Sequence, residues 1–249
     1  MGRILSIHSF RGGTGKSNTS ANLAAVYALQ GERVGVVDTD IQSPGIHVLF
    51  GVDEVGGHPT LNDYLYGSCE IEACALDVSG AVGAQGGVFL IPSSVKPGEI
   101  AQVLRQGYDV GLLNDGFQRL IETLALDVLI IDTHPGMNEE TLLSIAISDA
   151  LAVVMRPDKQ DYQGTGVTVD VARQLGVPCL KIVINKMPPS LDASRLAAQV
   201  AATYGCDVAG VVPHSDDLME LASSGVFVAQ HPDHPVADRY RSIAEALRP

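Results

Sequence analysis

Short apolar runs alternate with amphipathic stretches along the whole chain. The runs cover residues 3–8, 33–37, 88–92, 127–132, 150–155, 179–185 and 207–212, lengths that suit β-strands. Helical patterns lie between them at 19–29, 44–50, 60–66, 98–106, 112–126, 139–148, 161–175, 192–204, 215–223 and 235–247. Leu113, Phe117, Leu120, Ile121 and Leu124 recur at helical spacing, whereas Gly164 and Gly166 interrupt the pattern of 161–175. Residues 51–59 are glycine-rich and read as a loop, and 69–87 show no clear period. Strand followed by helix, repeated end to end, predicts an α/β fold: a mainly parallel β-sheet flanked by helices on both faces. No internal repeat, low-complexity tract or linker divides the chain, so a single domain over 1–249 is expected.

Composition narrows the class. At 249 residues the chain is long enough for one α/β domain with a large core, or for two small domains. Apolar residues make up 46% and aromatics only 5%, so the core is expected to be Val, Ile, Leu and Ala, and disorder is disfavoured. Sixteen basic against 29 acidic side chains give a formal charge of −13, without a visible Lys/Arg cluster. That balance disfavours a surface that grips nucleic acid by phosphate neutralisation. No apolar run approaches the roughly 18 residues of a membrane span. Gly12 and Gly13 break any signal-peptide core, and the myristoylation-like start at Met1–Ser6 is needed for the first strand. Cys69, Cys74, Cys179 and Cys206 form no C-x-x-C pair and suit neither a zinc site nor a thiol redox pair. They read as buried or incidental reduced thiols of a cytoplasmic protein.

The chemistry concentrates at strand ends. Residues 9–18 read S-F-R-G-G-T-G-K-S-N between the first strand and the first helix, the layout of a phosphate-binding loop. Gly12, Gly13 and Gly15 let backbone N–H groups turn inward, and with Thr14, Lys16, Ser17 and Asn18 they make an anion cradle at a helix N-terminus. Lys16 supplies charge for the β- and γ-phosphates of ATP, and Ser17 a hydroxyl for Mg²⁺. Phe10 stands where the general pattern has its first glycine. The bland alternative, a glycine turn capped by a lysine, is opposed by the later motifs. Asp38-Thr39-Asp40 closes the second strand, and Asp132 closes 127–132 ahead of Thr133-His134-Pro135-Gly136. Carboxylates at the carboxyl ends of parallel strands face the ligand side. Asp38 and Asp132 are assigned to the magnesium shell and Asp40 to orienting the attacking water; standing alone, Asp38 and Asp40 would each read as a turn-forming acid. His8 and His134 lie near this site and read as core or hydrogen-bonded histidines. His231-Pro232-Asp233-His234-Pro235 invites a metal reading, but its prolines favour a rigid surface turn.

A basic residue followed by Gly-Gly-x-Gly-Lys-Ser resembles the deviant Walker A motif of the MinD/ParA ATPases, and the likeness extends along nearly the whole chain. It implies the P-loop NTPase type of fold. Residues 34–40 resemble that family's strand and switch I, in which the second acid, here Asp40, serves hydrolysis. Residues 132–136 resemble its Walker B and switch II. Asn185 resembles the adenine-contacting residue after a late strand, and the segment after 210–213 implies adenine contacts from Pro213, His214 and Ser215. Arg11 stands where the family has a signature lysine that reaches across an ATP-sandwiched dimer. The resemblance implies that Arg11 acts in trans with Lys16 and Asp40, because arginine keeps the charge and adds bidentate donors; otherwise it is a surface arginine beside the loop. Asn18 replaces a hydroxyl residue and can still reach a phosphate.

The resemblance implies a slow, partner-stimulated ATPase that forms a homodimer with ATP and Mg²⁺. The terminal helix has a small apolar face and mixed charges, which suits a domain cap better than a membrane anchor. The paired cysteines of cluster- or nickel-handling relatives and the terminal tyrosines of kinase relatives are missing. The expected function is a soluble cytoplasmic switch that positions or regulates a cargo through an unidentified partner protein. A small-molecule ligase or kinase on the same fold, and a non-hydrolysing ATP-dependent dimerisation module, are the competing readings.

Overall fold

The apolar runs become the strands of one eight-stranded sheet in the computed structural model, which describes residues 2–52, 55, 57–84, 86–221 and 223–248. The strands are β1 (Arg3–His8), β2 (Val34–Asp38), β3 (Leu76–Asp77), β4 (Val88–Ile91), β5 (Val128–Asp132), β6 (Ala150–Met155), β7 (Cys179–Met187) and β8 (Val208–Pro213). Their order across the sheet is β3-β4-β2-β5-β1-β6-β7-β8, and every pair is parallel except β3 with β4. The strands read as unbroken apolar runs because both faces are covered. On β5, Val128 and Ile130 pack with α1 (Lys16–Leu29) and α12 (Pro235–Ala246) on one side. Leu129 and Ile131 pack with α3 (Leu61–Leu65) and α6 (Gly111–Thr123) on the other. The second face continues over β7 through Val169 of α8 (Lys159–Gln174) and Leu196 and Val200 of α9 (Ala193–Tyr204).

The remaining helices are α2 (Ile46–Leu49), α4 (Ser79–Val82), α5 (Pro97–Gln106), α7 (Glu139–Ala146), α10 (Asp216–Leu221) and α11 (Phe227–Gln230). The stretch 69–87 resolves into a 3₁₀ turn (Ile71–Cys74), the antiparallel edge β3 and α4. None of these is long enough to carry a period, and Gln85 lies outside the described residues. Asp53, Glu54 and Gly56 of the expected loop, Ala222 of the expected helix 215–223, and the ends Met1 and Pro249 also lie outside them. The helix expected at 161–175 starts earlier, because the Asp158 carboxylate accepts from the N–H groups of Gln160 (3.1 Å) and Asp161 (3.0 Å).

The two glycines of α8 do not interrupt it. Gly164 is there to admit the Phe10 ring: a Cβ on it would lie 2.3 Å from Phe10 Cδ1 and 2.6 Å from Phe10 Cβ. The terminal α12 buries Val236, Ala237, Tyr240, Ile243 and Ala244. It is tied to α1 by a hydrogen bond from Tyr27 Oη to the Ala244 carbonyl (2.9 Å). The 231–235 turn uses its histidines structurally. His231 and His234 pack on the Phe227 ring, and His234 Nδ1 accepts from Val236 N–H (3.1 Å). Among the described residues no cluster of three or more His, Cys, Asp or Glu is arranged for a metal, and no helix is long and apolar enough to cross a membrane.

Gly164→Ala gains helix propensity of about 1 kcal/mol. It forces Phe10, held close to its own backbone, to move, and overpacking of this kind costs about 1–3 kcal/mol. Urea unfolding of Gly164→Ala is expected to show a net loss of stability. The double variant Gly164→Ala/Phe10→Gly, which removes both the ring and the Cβ in the way, is expected to recover more than additivity allows.

Candidate phosphate-binding site

The loop leaves β1 at His8 and re-enters regular structure at Lys16, the first residue of α1. Gly13 and Gly15 have φ of 79° and 93°, backbone that side chains oppose. At Gly15 space decides as well, because a Cβ would lie 2.2 Å from Asn185 Nδ2. That amide donates to the Thr14 carbonyl (2.8 Å), and Lys186 Nζ donates to the Gly13 carbonyl (3.0 Å). The end of β7 thus holds the loop by its carbonyls. The first turn of α1 carries no acid to compete for its N–H groups. A cavity of about 300 Å³ opens over residues 12–18 and is closed by Ser9, Asp40, Pro135 and Lys186.

Three charged side chains stand behind this cavity. Asp38 and Asp132 are register partners on β2 and β5. Lys16 Nζ lies 3.2 Å from Asp132 Oδ1, which also accepts from Ser20 Oγ (2.8 Å). Asp38 Oδ1 accepts from Asp40 N–H (3.0 Å) and Oδ2 from Gly45 N–H (3.1 Å). Burial pushes the Asp38 carboxyl up to about 7, Asp132 reinforces the rise, and Lys16 opposes it. Two buried carboxylates therefore share one ammonium. The donor set is oxygen only, and it is short of positive charge. It fits a hard divalent cation such as Mg²⁺. The hydroxyl of Ser17, on the cavity wall, is of the same type. Thr14 Oγ1 is buried without a hydrogen-bond partner among the described residues.

Two histidines join this site. His134 Nδ1 lies 2.6 Å from Asp40 Oδ1, so the imidazole donates to the carboxylate. The same oxygen accepts from Ser43 N–H (3.1 Å). His134 was legible only as a hydrogen-bonded histidine; its partner is 94 positions away and no local motif announces it. His8 Nδ1 lies 2.8 Å from Thr133 Oγ1, and that hydroxyl donates to the Ile7 carbonyl (3.0 Å). His8 must therefore donate from Nδ1, which leaves Nε2 bare and buried. Burial, then Lys16, then His134 lower His8 to about 3.

The other expected residues fall into two groups. Asn18 lines the cavity beside Ser17. Asn185 is buried, with its Nδ2 on Thr14 and its Oδ1 accepting from Lys186 N–H (2.8 Å). Pro213 pairs with Met187 at the end of β8, and His214 N–H donates to the Met187 carbonyl (2.8 Å). Ser215 Oγ accepts from Leu218 N–H (3.3 Å). Residues 213–215 thus stand one strand further along the ligand edge and outside the phosphate cavity. Arg11 turns toward α8: its Nη1 is 3.4 Å from Asp161 Oδ1 and 3.9 Å from Asp158 Oδ1.

The chain is similar to known proteins along its whole length. A family model described as ParA, NUBPL iron-transfer P-loop NTPase, matches residues 1–248. An uncharacterized ATP-binding protein of Methanocaldococcus jannaschii is 29% identical over 99% of this chain and 88% of its own length. An iron-sulfur cluster carrier protein of Aquifex aeolicus is 26% identical over 98% of this chain and 66% of its own. The septum site-determining protein MinD of Pyrococcus horikoshii, solved with Mg-ADP, superposes with a TM-score of 0.80 at 23% identity, covering 98% of this chain and 95% of that one. The chain belongs to the ParA family of P-loop NTPases.

His8 and Asp38 tilt the stability of the nucleotide-free protein in opposite senses. His8 is lowered in the fold, so the unfolded chain binds the extra proton between about pH 6.5 and 3, and stability is lost as pH falls through that window. Asp38 is raised, so the fold holds the extra proton between about pH 4 and 7, and stability is lost as pH rises. His8→Asn keeps a donor to Thr133 and removes the titration. Denaturant titrations from pH 3 to 7 are expected to show its acid-side slope reduced by up to one proton, about 1.4 kcal/mol per pH unit.

Proposed function

We propose that this ParA-family chain is an ATP-hydrolysing switch that dimerises with Mg-ATP and passes its state to a partner protein in the cytoplasm. The observation that carries the reading is the convergence of Lys16, Asp38, Asp132 and the His134–Asp40 pair behind one glycine loop. The N–H groups of Gly12 through Asn18 take the phosphate chain, and Lys16 leaves Asp132 for the β- and γ-phosphate oxygens. Ser17, Asp38 and Asp132 would hold a magnesium ion. Mg²⁺ supplies charge neutralisation at the phosphate oxygens when bound. Asp40 orients the attacking water, and His134 fixes the Asp40 carboxylate by donating from Nδ1.

Asn185 acts mainly as the support of the loop, since its amide is spent on Thr14 and Lys186. Pro213, His214 and Ser215 lie where a base extending along the edge past β7 would meet them. Arg11 acts across the dimer. Its release from Asp161 is cheap, because Arg156 stays on that buried carboxylate through Nε (3.1 Å) and backbone N–H (2.9 Å). The iron–sulfur cargo in the names of some relatives finds no C-x-x-C pair in this sequence.

Size-exclusion light scattering of Asp40→Ala is expected to give a dimer with Mg-ATP and a monomer with Mg-ADP or no nucleotide. Asp40→Ala/Arg11→Ala is expected to remain monomeric. A monomer in all three states of the single variant would overturn the switch and favour a small-molecule ligase or kinase.

Asp40→Ala should lower kcat by roughly 10²–10⁴ while nucleotide binding is kept. His134→Ala should lower kcat by roughly tenfold to a hundredfold at nearly constant KM. His134→Asn, whose Nδ2 replaces the Nδ1 donor, should restore most of that loss. If His134→Ala and His134→Asn are equally impaired, the hydrogen bond to Asp40 is not what His134 contributes.

A further inference from the structure

The cysteine spacing of the sequence suits no thiol pair, yet the fold makes one. Cys69 Sγ and Cys74 Sγ lie 3.5 Å apart. Cys69 precedes the 3₁₀ turn of Ile71–Cys74 and Cys74 ends it, so the tight coil brings positions five apart onto one side. The turn is gripped from outside by Arg119, whose guanidinium reaches both Glu70 and Glu72. Cys74 is fully buried and its thiol donates to the Thr60 carbonyl (3.1 Å). Cys69 is half-buried and opens on a depression of about 260 Å³ lined also by His58, Asp63, Ser68 and Lys96. Cys179 and Cys206 line one depression, but among the described residues their sulfurs make no mutual contact and Cys206 donates to the Leu180 carbonyl (3.4 Å).

We propose that Cys69 and Cys74 are a reversible dithiol that closes to a disulfide by exchange with a low-molecular-weight disulfide such as glutathione disulfide. The accessible Cys69 thiolate attacks one sulfur of the incoming disulfide. That S–S bond breaks, one thiolate leaves, and a mixed disulfide forms on Cys69. Cys74 then loses its proton to water, its sulfur attacks Cys69 Sγ, and the second thiolate leaves. The two protein thiols are oxidised, one small disulfide is reduced to two thiols, and no other reactant is needed. The order follows from burial. Cys74, pushed up by desolvation and by its contact with Cys69, is a poor first nucleophile and a well-placed second one. The sulfurs need only close from 3.5 Å to about 2.05 Å.

Closure also has a local consequence. The Cys74 sulfur leaves the carbonyl of Thr60, the residue before α3, whose N–H and hydroxyl both donate to Asp63 Oδ2 (2.8 Å each). The next residue, Leu61, donates its N–H to the Pro92 carbonyl (2.8 Å), and Ser93 Oγ donates to the Asp38 carbonyl (2.7 Å). The dithiol therefore sits on the far side of the segment that backs Asp38.

The full-length protein is equilibrated with glutathione and glutathione disulfide at fixed ratios, quenched in acid, denatured and alkylated, and its peptides are weighed. The expected result is joint loss of both alkylations at Cys69 and Cys74, as an internal disulfide lighter by two hydrogens. Excess reduced glutathione should reverse it, and Cys179 and Cys206 should stay alkylated. Cys74→Ser keeps a hydroxyl donor for Thr60 and should trap a stable glutathione adduct on Cys69. If Cys74→Ser does not fold, the wild-type measurement stands by itself. Full alkylation of both cysteines at a large excess of glutathione disulfide would overturn the proposal. So would a wild-type protein that stops at the glutathione adduct.

Discussion

Everything at the ligand edge of this sheet depends on one imbalance of charge. Asp38 and Asp132 end neighbouring strands in register, buried, with Lys16 as the cation between them and the loop. Parallel pairing sets that register, so the two carboxylates cannot move apart without slipping β2 against β5. Lys16 is the first residue of α1 and cannot retreat without unwinding the helix. The protein without nucleotide is thus held in an electrostatically unsatisfied state, visible in the rise of the Asp38 carboxyl to about 7. A ligand that brings anionic oxygens for Lys16 and a divalent cation for the acids relieves both sides at once. Neither component alone does so, which is the physical basis for reading the site as one for a metal-bound nucleotide.

The same edge shows how a fixed scaffold presents movable parts. The carbonyls of the loop are engaged from β7 by Asn185 and Lys186, and Thr39 Oγ1 donates to the Asp132 carbonyl (3.1 Å). Among the described residues, the segments that follow Asp38 and Asp132 meet instead through a single side-chain bond, that between Asp40 and His134. A change at the phosphate end is therefore felt by both segments together. Such paired segments, ordered by a ligand and released on its loss, are the usual parts of a nucleotide switch.

Most of the fold was legible because strands buried on both faces are unbroken apolar runs. The edge piece 69–87 was not, since four-residue elements carry no period. Gly164 and Gly166 misled for a related reason: glycine reads as a helix breaker locally, whereas Gly164 is set by Phe10, far away in sequence. The loop residues and the acids at 38, 40 and 132 could be named because their chemistry is tied to strand ends. The partners of Arg11, Asn185, His134 and Cys69 could not, because each depends on which strand or turn lies beside it.

Arg11 illustrates what such a neighbour changes. From the sequence it is a basic residue beside a loop; in the fold it is the outer member of a cluster in which Arg156 and Asp158 surround the buried Asp161. Arg156 already satisfies that carboxylate from the side chain and the backbone. Arg11, 39% exposed and at 3.4 Å, is the weaker and outer partner. A buried carboxylate with one strong partner tolerates the loss of a second, whereas with Arg11 alone it would bind that arginine permanently. The presence of Arg156 is thus what makes Arg11 exchangeable. An arginine that can leave an intramolecular acid at little cost is available to an anion presented from outside.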